Sequence, residues 1–310
     1  MERRIEALLR YIGKIIVGKE ETIINIVAAL LCNGHVLIED VPGVGKTRLV
    51  SALAASLNGK FNRIQLTPDI MPSDITGYSI PDRATGELKY HEGVAVCNFL
   101  LADEINRASS KSQSALLEVM EEHQITMDGK TIVLPAPFMV LATQNHIETY
   151  GTYHLPEAQM DRFILRVSMG YPTKEEEKNI LDYQSRSISS LDAVMSTEDI
   201  VELQKDVENI KVSEKIKDYI VKIAEFTRNS PDITLGVSPR GSIALYKVAK
   251  AMAFIDDREY VLPDDVKRIA KTVLAHRIVL SANGRGNFSD EFEVIDYVIK
   301  NVEVPVTNEN

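Results

Sequence analysis

The stretch that decides the fold is Val36-Leu37-Ile38-Glu39-Asp40-Val41-Pro42-Gly43-Val44-Gly45-Lys46-Thr47. An apolar run typical of a buried strand leads directly into a loop that ends in glycine, lysine and threonine. Gly43 and Gly45 permit backbone conformations in which successive N–H groups converge on an anion, and a helix beginning near Lys46 would add the positive end of its dipole. The stretch therefore predicts a phosphate-binding loop between a strand and a helix.

A second apolar run, Phe99-Leu100-Leu101-Ala102, ends in two carboxylates, Asp103 and Glu104. Lys46 is expected to reach the β and γ phosphates of a bound nucleotide, and the Thr47 hydroxyl and Asp103 to hold Mg²⁺. Glu104, one residue closer to solvent, is expected to polarise the attacking water. Loop and carboxylates together predict hydrolysis of a nucleoside triphosphate rather than binding alone.

Two more polar residues follow predicted elements of the same sheet. Asn145 comes after the strand predicted at 138–143 and would orient the water or touch the γ-phosphate if that strand neighbours the one ending in the carboxylates. Arg162 stands just before the last predicted strand and is suited to stabilise charge on a neighbouring subunit's phosphate. An ion pair of Arg162 with Asp161 or Glu157 is the alternative.

Arg240 follows Ser238-Pro239 at the start of a predicted helix in the second half of the chain. If that half folds over the nucleotide, Arg240 would contact the γ-phosphate and couple hydrolysis to movement of the lid. A surface arginine is the alternative reading of Arg240. Arg166 is a second candidate for the neighbour's phosphate, but the alternation of side chains along its strand leaves its direction open.

Strands and helices alternate up to Tyr171-Pro172, which predicts an α/β fold with a parallel sheet flanked by helices. Beyond that point the strand signals largely vanish and helical periodicity recurs. The helical segments are predicted at 175–183, 197–207, 213–228, 239–254 and 263–279. We expect an α/β nucleotide-binding domain over residues 1–172 and a helical lid domain over residues 173–310.

Composition bears on three further questions: nucleic-acid binding, metal sites and cellular location. The net charge of −10 disfavours a general polyanion binder. The two cysteines, Cys32 and Cys97, and the six histidines have no metal-ligand spacing, so they are expected to be structural. The N-terminus lacks the apolar stretch of a secretory signal and no apolar segment is long enough to span a membrane, so we expect a cytoplasmic protein without direct membrane insertion.

The order of these motifs resembles the MoxR family of AAA+ ATPases. The matching stretches are Val17-Gly18-Lys19, 39–47, Thr67-Pro68-Asp69, 72–77, 103–108, 142–145, 155–163 and Ser238-Pro239-Arg240. They span nearly the whole chain. The resemblance implies a P-loop AAA+ core with an all-helical lid, and an Mg²⁺-dependent, ring-forming and usually hexameric homo-oligomer. Such proteins hydrolyse ATP at each subunit boundary and act as chaperone-like motors.

The resemblance also assigns roles to single residues. It makes Asp103 and Glu104 the Walker B pair, Asn145 sensor 1, Arg162 the arginine finger and Arg240 sensor 2. The residues it implies for nucleotide contact are Val17 and Gly18 at the adenine, with Pro42, Gly43, Val44, Gly45, Lys46, Thr47 and Arg48 in and after the loop. Asp40 departs from the family by replacing the usual first glycine, and its carboxylate must point away from the triphosphate because like charges repel.

Partners are implied by the family rather than by any residue here. MoxR proteins commonly work with a partner that bears a von Willebrand factor A domain, and the parts expected to touch a protein client are an insertion at 78–94 and a hairpin at 124–134. The alternative is a nucleic-acid-remodelling ring ATPase, which shares the same motifs. The hairpin holds one lysine and one aspartate, a poor reader of phosphate backbones, so no nucleic acid is expected.

Overall fold

The computed structural model describes residues 1–41, 43–83, 86–145, 155–183 and 193–305. Its first part runs in the order α1 (Arg3–Gly13), α2 (Glu20–Leu31), β1 (Val36–Glu39), α3 (Lys46–Ser56), β2 (Phe61–Gln65), α4 (Pro72–Thr76), β3 (Gly77–Pro81), β4 (Leu88–Glu92), β5 (Phe99–Asp103), a 3₁₀ turn (Ile105–Arg107), α5 (Ser110–Glu122), β6 (Gln124–Met127), β7 (Lys130–Val133), β8 (Met139–Gln144), α6 (Glu157–Met160) and β9 (Leu165–Val167).

Five of these strands form one parallel sheet in the order β2-β5-β8-β1-β9. Side chains alternate between two apolar layers: Val36 and Ile38 of β1 pack in one cluster and Leu37 in the other. Burial of both faces is what a parallel sheet requires, and it explains why the strands read as continuous apolar runs. Because β5 and β8 are neighbours, Asp103 and Asn145 emerge at the same edge, as the sequence predicted.

Two antiparallel hairpins project from this core. The predicted hairpin at 124–134 is formed by β6 and β7, with Asp128 and Gly129 both at positive φ, as a tight two-residue turn requires. The second, β3 with β4, lies in the segment 78–94 where the resemblance implied an insertion. Its side chains include the exposed Tyr78 and Ile80.

The second part contains α7 (Lys174–Tyr183), α8 (Thr197–Glu208), α9 (Glu214–Asn229), β10 (Ile233–Leu235), α10 (Pro239–Ile255), α11 (Pro263–Leu274), a 3₁₀ turn (Ala275–Arg277), β11 (Val279–Leu280), α12 (Ala282–Asn287) and α13 (Glu291–Asn301). The predicted helical lid is confirmed, with one addition: β10 and β11 pair as a small antiparallel sheet. The helix predicted over 263–279 ends at Leu274, because His276 and Arg277 in the following turn hydrogen-bond to the first part of the chain.

The two parts share one apolar cluster. Helix α2 of the first part packs against α8 and α10, and the side chain of Gln204 donates to the carbonyl of Leu30 at 2.8 Å. The predicted domain boundary at residue 172 falls between the end of β9 and the start of α7. Across the described ranges, no helix has both the length and the apolar character needed to cross a bilayer.

Candidate active site

A cavity of about 370 Å³ lies where β1, β5 and β8 end. Eight of the predicted site residues line it: Gly43, Gly45, Lys46, Thr47, Arg48, Asp103, Glu104 and Asn145. The cavity therefore brings the loop, both carboxylates and the amide to one place, although they lie up to about 100 residues apart in the sequence. Pro42, also predicted to contact nucleotide, lies outside the described residues.

The phosphate loop owes its shape to two glycines. Gly43 and Gly45 have φ values of +87° and +92°, and a Cβ added at either would meet nothing within 4 Å. The requirement is thus for the left-handed backbone rather than for space. Gly45 is the N-cap of α3, so the N-terminal end of that helix opens onto the cavity. Val44 packs instead against the apolar core.

Asp40 uses its carboxylate to tie the loop to the connection between β9 and α7. Oδ1 accepts hydrogen bonds from the Ser168 hydroxyl at 3.0 Å and the Gly170 N–H at 3.0 Å, and Oδ2 accepts one from the Met169 N–H. The residue is only 8% exposed. Asp40 lines the phosphate cavity, but both of its carboxylate oxygens are committed to residues 168–170. These bonds explain how an acid is tolerated where the family usually has glycine.

Asp40→Asn is expected to lower the free energy of unfolding by about 1–3 kcal/mol, because an amide NH₂ would face buried donors that the carboxylate now satisfies. Affinity for ATP is expected to change little. Urea denaturation and titration with a fluorescent ATP analogue measure the two effects. Asp69→Asn, on an exposed side chain that accepts a hydrogen bond from the nearby Thr67 hydroxyl, is the control. Equal stability of both variants would contradict the role given to Asp40.

The two carboxylates are held by residues that the sequence did not single out. Asp103 accepts a hydrogen bond from the Thr143 hydroxyl at 3.2 Å and pairs with Arg63 Nε at 2.7 Å. The Glu104 N–H donates to the same Thr143 oxygen at 2.9 Å, and its carboxylate accepts from Arg107 Nη1 at 2.9 Å. Thr143 thus positions both acids. A polar threonine among the buried apolar residues of β8 is the sequence feature that could have indicated this role.

Glu104 also has an uncommon backbone conformation. Its φ of +57° and ψ of +53° lie in the left-handed region, which costs a residue other than glycine on the order of 1–3 kcal/mol. The Thr143 hydroxyl and the following 3₁₀ turn hold it there. Strain of this kind is concentrated at functional sites, so the conformation supports a chemical role for Glu104.

The residues around the loop suit magnesium. The Thr47 hydroxyl and the Asp103 carboxylate line the same cavity and are the oxygen ligands that Mg²⁺ prefers. In the part of the chain that is described, no three His, Cys, Asp or Glu side chains cluster as a metal site. A small number of protein ligands is consistent with Mg²⁺, because this ion usually keeps several waters and binds substrate phosphates.

Arg162 and Arg240 lie elsewhere, in a second cavity of about 240 Å³ beside α5 and α10. Arg162 Nη1 donates to the Leu117 carbonyl at 2.8 Å and lies 3.1 Å from Glu121 Oε2. Arg240 Nη2 lies 2.8 Å from Glu121 Oε1. The two arginines therefore share one carboxylate, which is neither of the acids considered for Arg162 from the sequence. Arg240 does not line the phosphate cavity of its own chain.

The other predicted residues have local partners. Arg166 lies 3.0 Å from the buried Glu39 and stacks on the Phe292 ring, so it is held within its own chain. Gly18 lies against the Glu176 side chain of α7, and neither Val17 nor Gly18 lines the phosphate cavity. Gly18 has a φ of +57°, a left-handed backbone conformation that favours glycine.

The cysteines and the buried His35 behave as structural groups. Burial raises the pKa of both thiols, Cys32 and Cys97, to about 12, which leaves them unreactive. Burial lowers the pKa of His35 to about 4. The neutral ring of His35 accepts from the Val140 N–H and donates to the Met120 carbonyl, and so links β8 to the end of α5.

Comparison with known proteins decides the family. The profile of the ATPase family associated with various cellular activities (AAA) matches residues 35–165, and that of the AAA lid domain matches residues 225–295. The chain is 39% identical to Chaperone MoxR1 of Mycobacterium tuberculosis over 98% of this chain and 83% of that protein. It belongs to the MoxR family of AAA+ ATPases.

Other similarities agree with this membership. YeaC of Bacillus subtilis is 48% identical over 96% of this chain and 94% of its own length. The crystal structure of a proposed ATPase from Cytophaga hutchinsonii superimposes with a TM-score of 0.90 at 36% identity, covering 98% of this chain and 95% of that one. The MoxR resemblance and the fold of an AAA+ core with a lid are thereby confirmed.

Proposed function

We propose that this MoxR-family chain hydrolyses ATP with Mg²⁺ in a homo-oligomeric ring, in which each site is completed by the neighbouring subunit. The observation that carries the proposal is the division of the predicted residues between two cavities. Loop, carboxylates and amide line one cavity, and the two arginines line another. The phosphate cavity is also lined by Arg48 and Arg63, and Arg63 pairs with Asp103. The two arginines expected to stabilise charge on the γ-phosphate lie in the other cavity, so we propose that they act on the nucleotide of a neighbouring subunit.

The phosphate cavity would bind ATP and prepare the attack. The loop N–H groups and Lys46 would hold the phosphates, and Thr47 and Asp103 would hold Mg²⁺, which when bound offsets the charge of the phosphate oxygens. Glu104 would then orient a water in line with the γ-phosphate and accept its proton. For this its carboxylate must leave Arg107 and face the cavity. Asn145 is placed to hold the same water or the γ-phosphate.

The arginine cavity would act on the ATP of the next subunit. Guanidinium groups bind phosphate oxygens in a fixed fork, and an arginine supplied across an interface stabilises the charge that develops in the transition state. In the single chain, the Glu121 carboxylate forms ion pairs with both Arg162 and Arg240. We propose that the neighbour's triphosphate replaces this carboxylate when the ring forms, so Arg240 acts beside Arg162 rather than on its own nucleotide.

The work done by hydrolysis is proposed to be remodelling of a protein complex, since one relative is named a chaperone. A hexameric ring and a partner with a von Willebrand factor A domain remain expectations from the family. The exposed Tyr78 and Ile80 of the β3–β4 hairpin offer an apolar contact for a protein client. The net charge of −10 disfavours nucleic acid. A cytoplasmic location stays a prediction from the sequence.

The purified protein is expected to release phosphate from ATP with Mg²⁺ and to lose this activity in EDTA. Lys46→Ala is expected to abolish binding of a fluorescent ATP analogue, because Lys46 supplies the positive charge at the phosphates. Lys60→Ala, which removes an exposed lysine paired with Glu92, is the matched control. Magnesium-independent turnover, or unchanged binding in Lys46→Ala, would contradict the proposal. Stimulation of turnover by DNA would favour the nucleic-acid alternative.

A further inference from the structure

Arg277 is a lid arginine whose side chain is only 2% exposed. Its guanidinium donates to the Phe163 carbonyl at 2.6 Å and to the Asp161 carbonyl at 3.0 Å, and it pairs with the Asp161 carboxylate. Burying a guanidinium is costly unless every charge and donor is matched. Nε donates to the Val273 carbonyl within the lid at 2.7 Å, and the partners of the two Nη groups are the residues immediately before and after Arg162.

Arg162 needs such support because its own element is small. Helix α6, which precedes it, has four residues and buries none of them. Met160 packs against the apolar core, but a helix of that length is not stable by itself. The buried Phe163 and the bond from Arg162 to the Leu117 carbonyl hold this segment to the first part of the chain. The lid adds Arg277 and His276, whose ring bonds to the Phe163 carbonyl at 2.9 Å.

Asp161 also reaches the element that carries Arg240. Its second carboxylate oxygen accepts a hydrogen bond from the Ser238 hydroxyl at 2.8 Å, and Ser238 is the N-cap of α10. Arg240 lies in the first turn of that helix. Gly241 allows the close packing, since a Cβ there would lie 2.6 Å from Val237 Cγ1 and 3.0 Å from Arg277 Cδ. A single buried ion pair thus connects the backbone around Arg162 with the start of the helix around Arg240.

We propose that Asp161 and Arg277 are positioning residues that hold Arg162 and Arg240 at one spacing, so that both reach the neighbouring subunit's ATP together. This rests on the proposed function, in which the two arginines act across the subunit boundary. Preorganised charge stabilises a transition state without reorganisation at the moment of reaction, and a small misplacement of such a group is costly in rate. The pair therefore acts on kcat through Arg162 and Arg240, without touching ATP.

The proposal is tested with Asp161→Asn and Arg277→Lys. Either change removes part of the ion pair but leaves the phosphate cavity intact. We expect kcat to fall about 10- to 100-fold while the dissociation constant for a fluorescent ATP analogue changes less than about threefold. Mixing either variant with Lys46→Ala should restore turnover, because the first keeps a complete phosphate cavity and the second keeps well-placed arginines.

The control is Asp265→Asn, which weakens another buried ion pair of the lid, with Arg258 Nη1 at 2.8 Å from Asp265 Oδ2. It lowers lid stability without touching the arginine cavity, so kcat should stay within about twofold of the unmodified protein. An equal fall of kcat in Asp265→Asn would show that general destabilisation suffices, and would overturn the assignment of Asp161 and Arg277.

Two other results would also overturn it. One is unchanged kcat in both positioning variants. The other is loss of ATP binding together with failure to recover on mixing, which would make the pair a support of the fold alone. The mixture of Arg162→Ala with Lys46→Ala distinguishes failure of the positioning role from failure of the proposed function. If that mixture recovers and the Asp161→Asn mixture does not, the positioning role alone fails. If neither recovers in rings shown to be mixed, action across the boundary fails.

A measurement on the unmodified protein covers the case in which both variants unfold. Amide hydrogen exchange is expected to be slow at Arg162 and Phe163, close to that of β9, because the core and the lid together hold this segment. Exchange as fast as at the turn residues Asp128 and Gly129 would overturn the proposal.

Discussion

Glu104→Gln is expected to lower kcat for ATP hydrolysis by about two to three orders of magnitude while ATP remains bound. The amide keeps the size of the side chain and an oxygen that can still accept from Arg107. It cannot take a proton from the attacking water. Phosphate release under single-turnover conditions and retention of labelled ATP on the protein measure the two effects.

The control for this prediction is Glu118→Gln on the exposed face of α5, which removes the same charge away from the cavity. It should leave both kcat and binding unchanged. Turnover at the unmodified rate in Glu104→Gln would refute the role of Glu104 as the base. Loss of ATP binding in that variant would show that the strained backbone at Glu104 maintains the shape of the cavity instead.

Arg162→Ala and Lys46→Ala proteins are each expected to be inactive alone and to regain activity when mixed. Arg162→Ala lacks the arginine but can bind ATP, and Lys46→Ala lacks the phosphate contact but keeps its arginine. In a random one-to-one mixture about a quarter of the boundaries in a ring would join an intact cavity to an intact arginine. Activity should therefore recover to about a quarter of that of the unmodified protein.

The mixing experiment requires proof that the two variants share rings, which native mass spectrometry provides if one variant carries a mass label. Arg240→Ala should behave like Arg162→Ala in the same mixture, because Glu121 holds both arginines in one cavity. No recovery in rings shown to be mixed would remove the claim that the neighbour supplies Arg162. If the mixture with Arg162→Ala recovers activity and the mixture with Arg240→Ala does not, Arg240 would be assigned to the nucleotide of its own chain.

The fold and the phosphate cavity could be predicted because their signals are local. Gly43, Gly45 and Lys46 follow a strand within a few residues, and Asp103 and Glu104 end another. Parallel strands present their carboxyl ends at one edge, so the two motifs had to meet once the strands were recognised.

The partners of those residues could not be predicted, because they depend on which strands become neighbours. Arg63 reaches Asp103 from 40 residues away, and Thr143 reaches it from the same distance on the other side. The position of Arg240 depends on how the lid packs against α5, which no local pattern encodes. The β10–β11 sheet has strands of three and two residues, too short to show a period.

The measurement that tests the account most directly is an electron cryomicroscopy structure of Glu104→Gln with ATP and Mg²⁺. We predict a ring in which the γ-phosphate lies within hydrogen-bonding distance of Lys46 in one subunit and of Arg162 in the next, with Glu121 released from both arginines. A ring whose nucleotide lies away from the phosphate loop, or in which Arg162 and Arg240 still pair with Glu121, would contradict it.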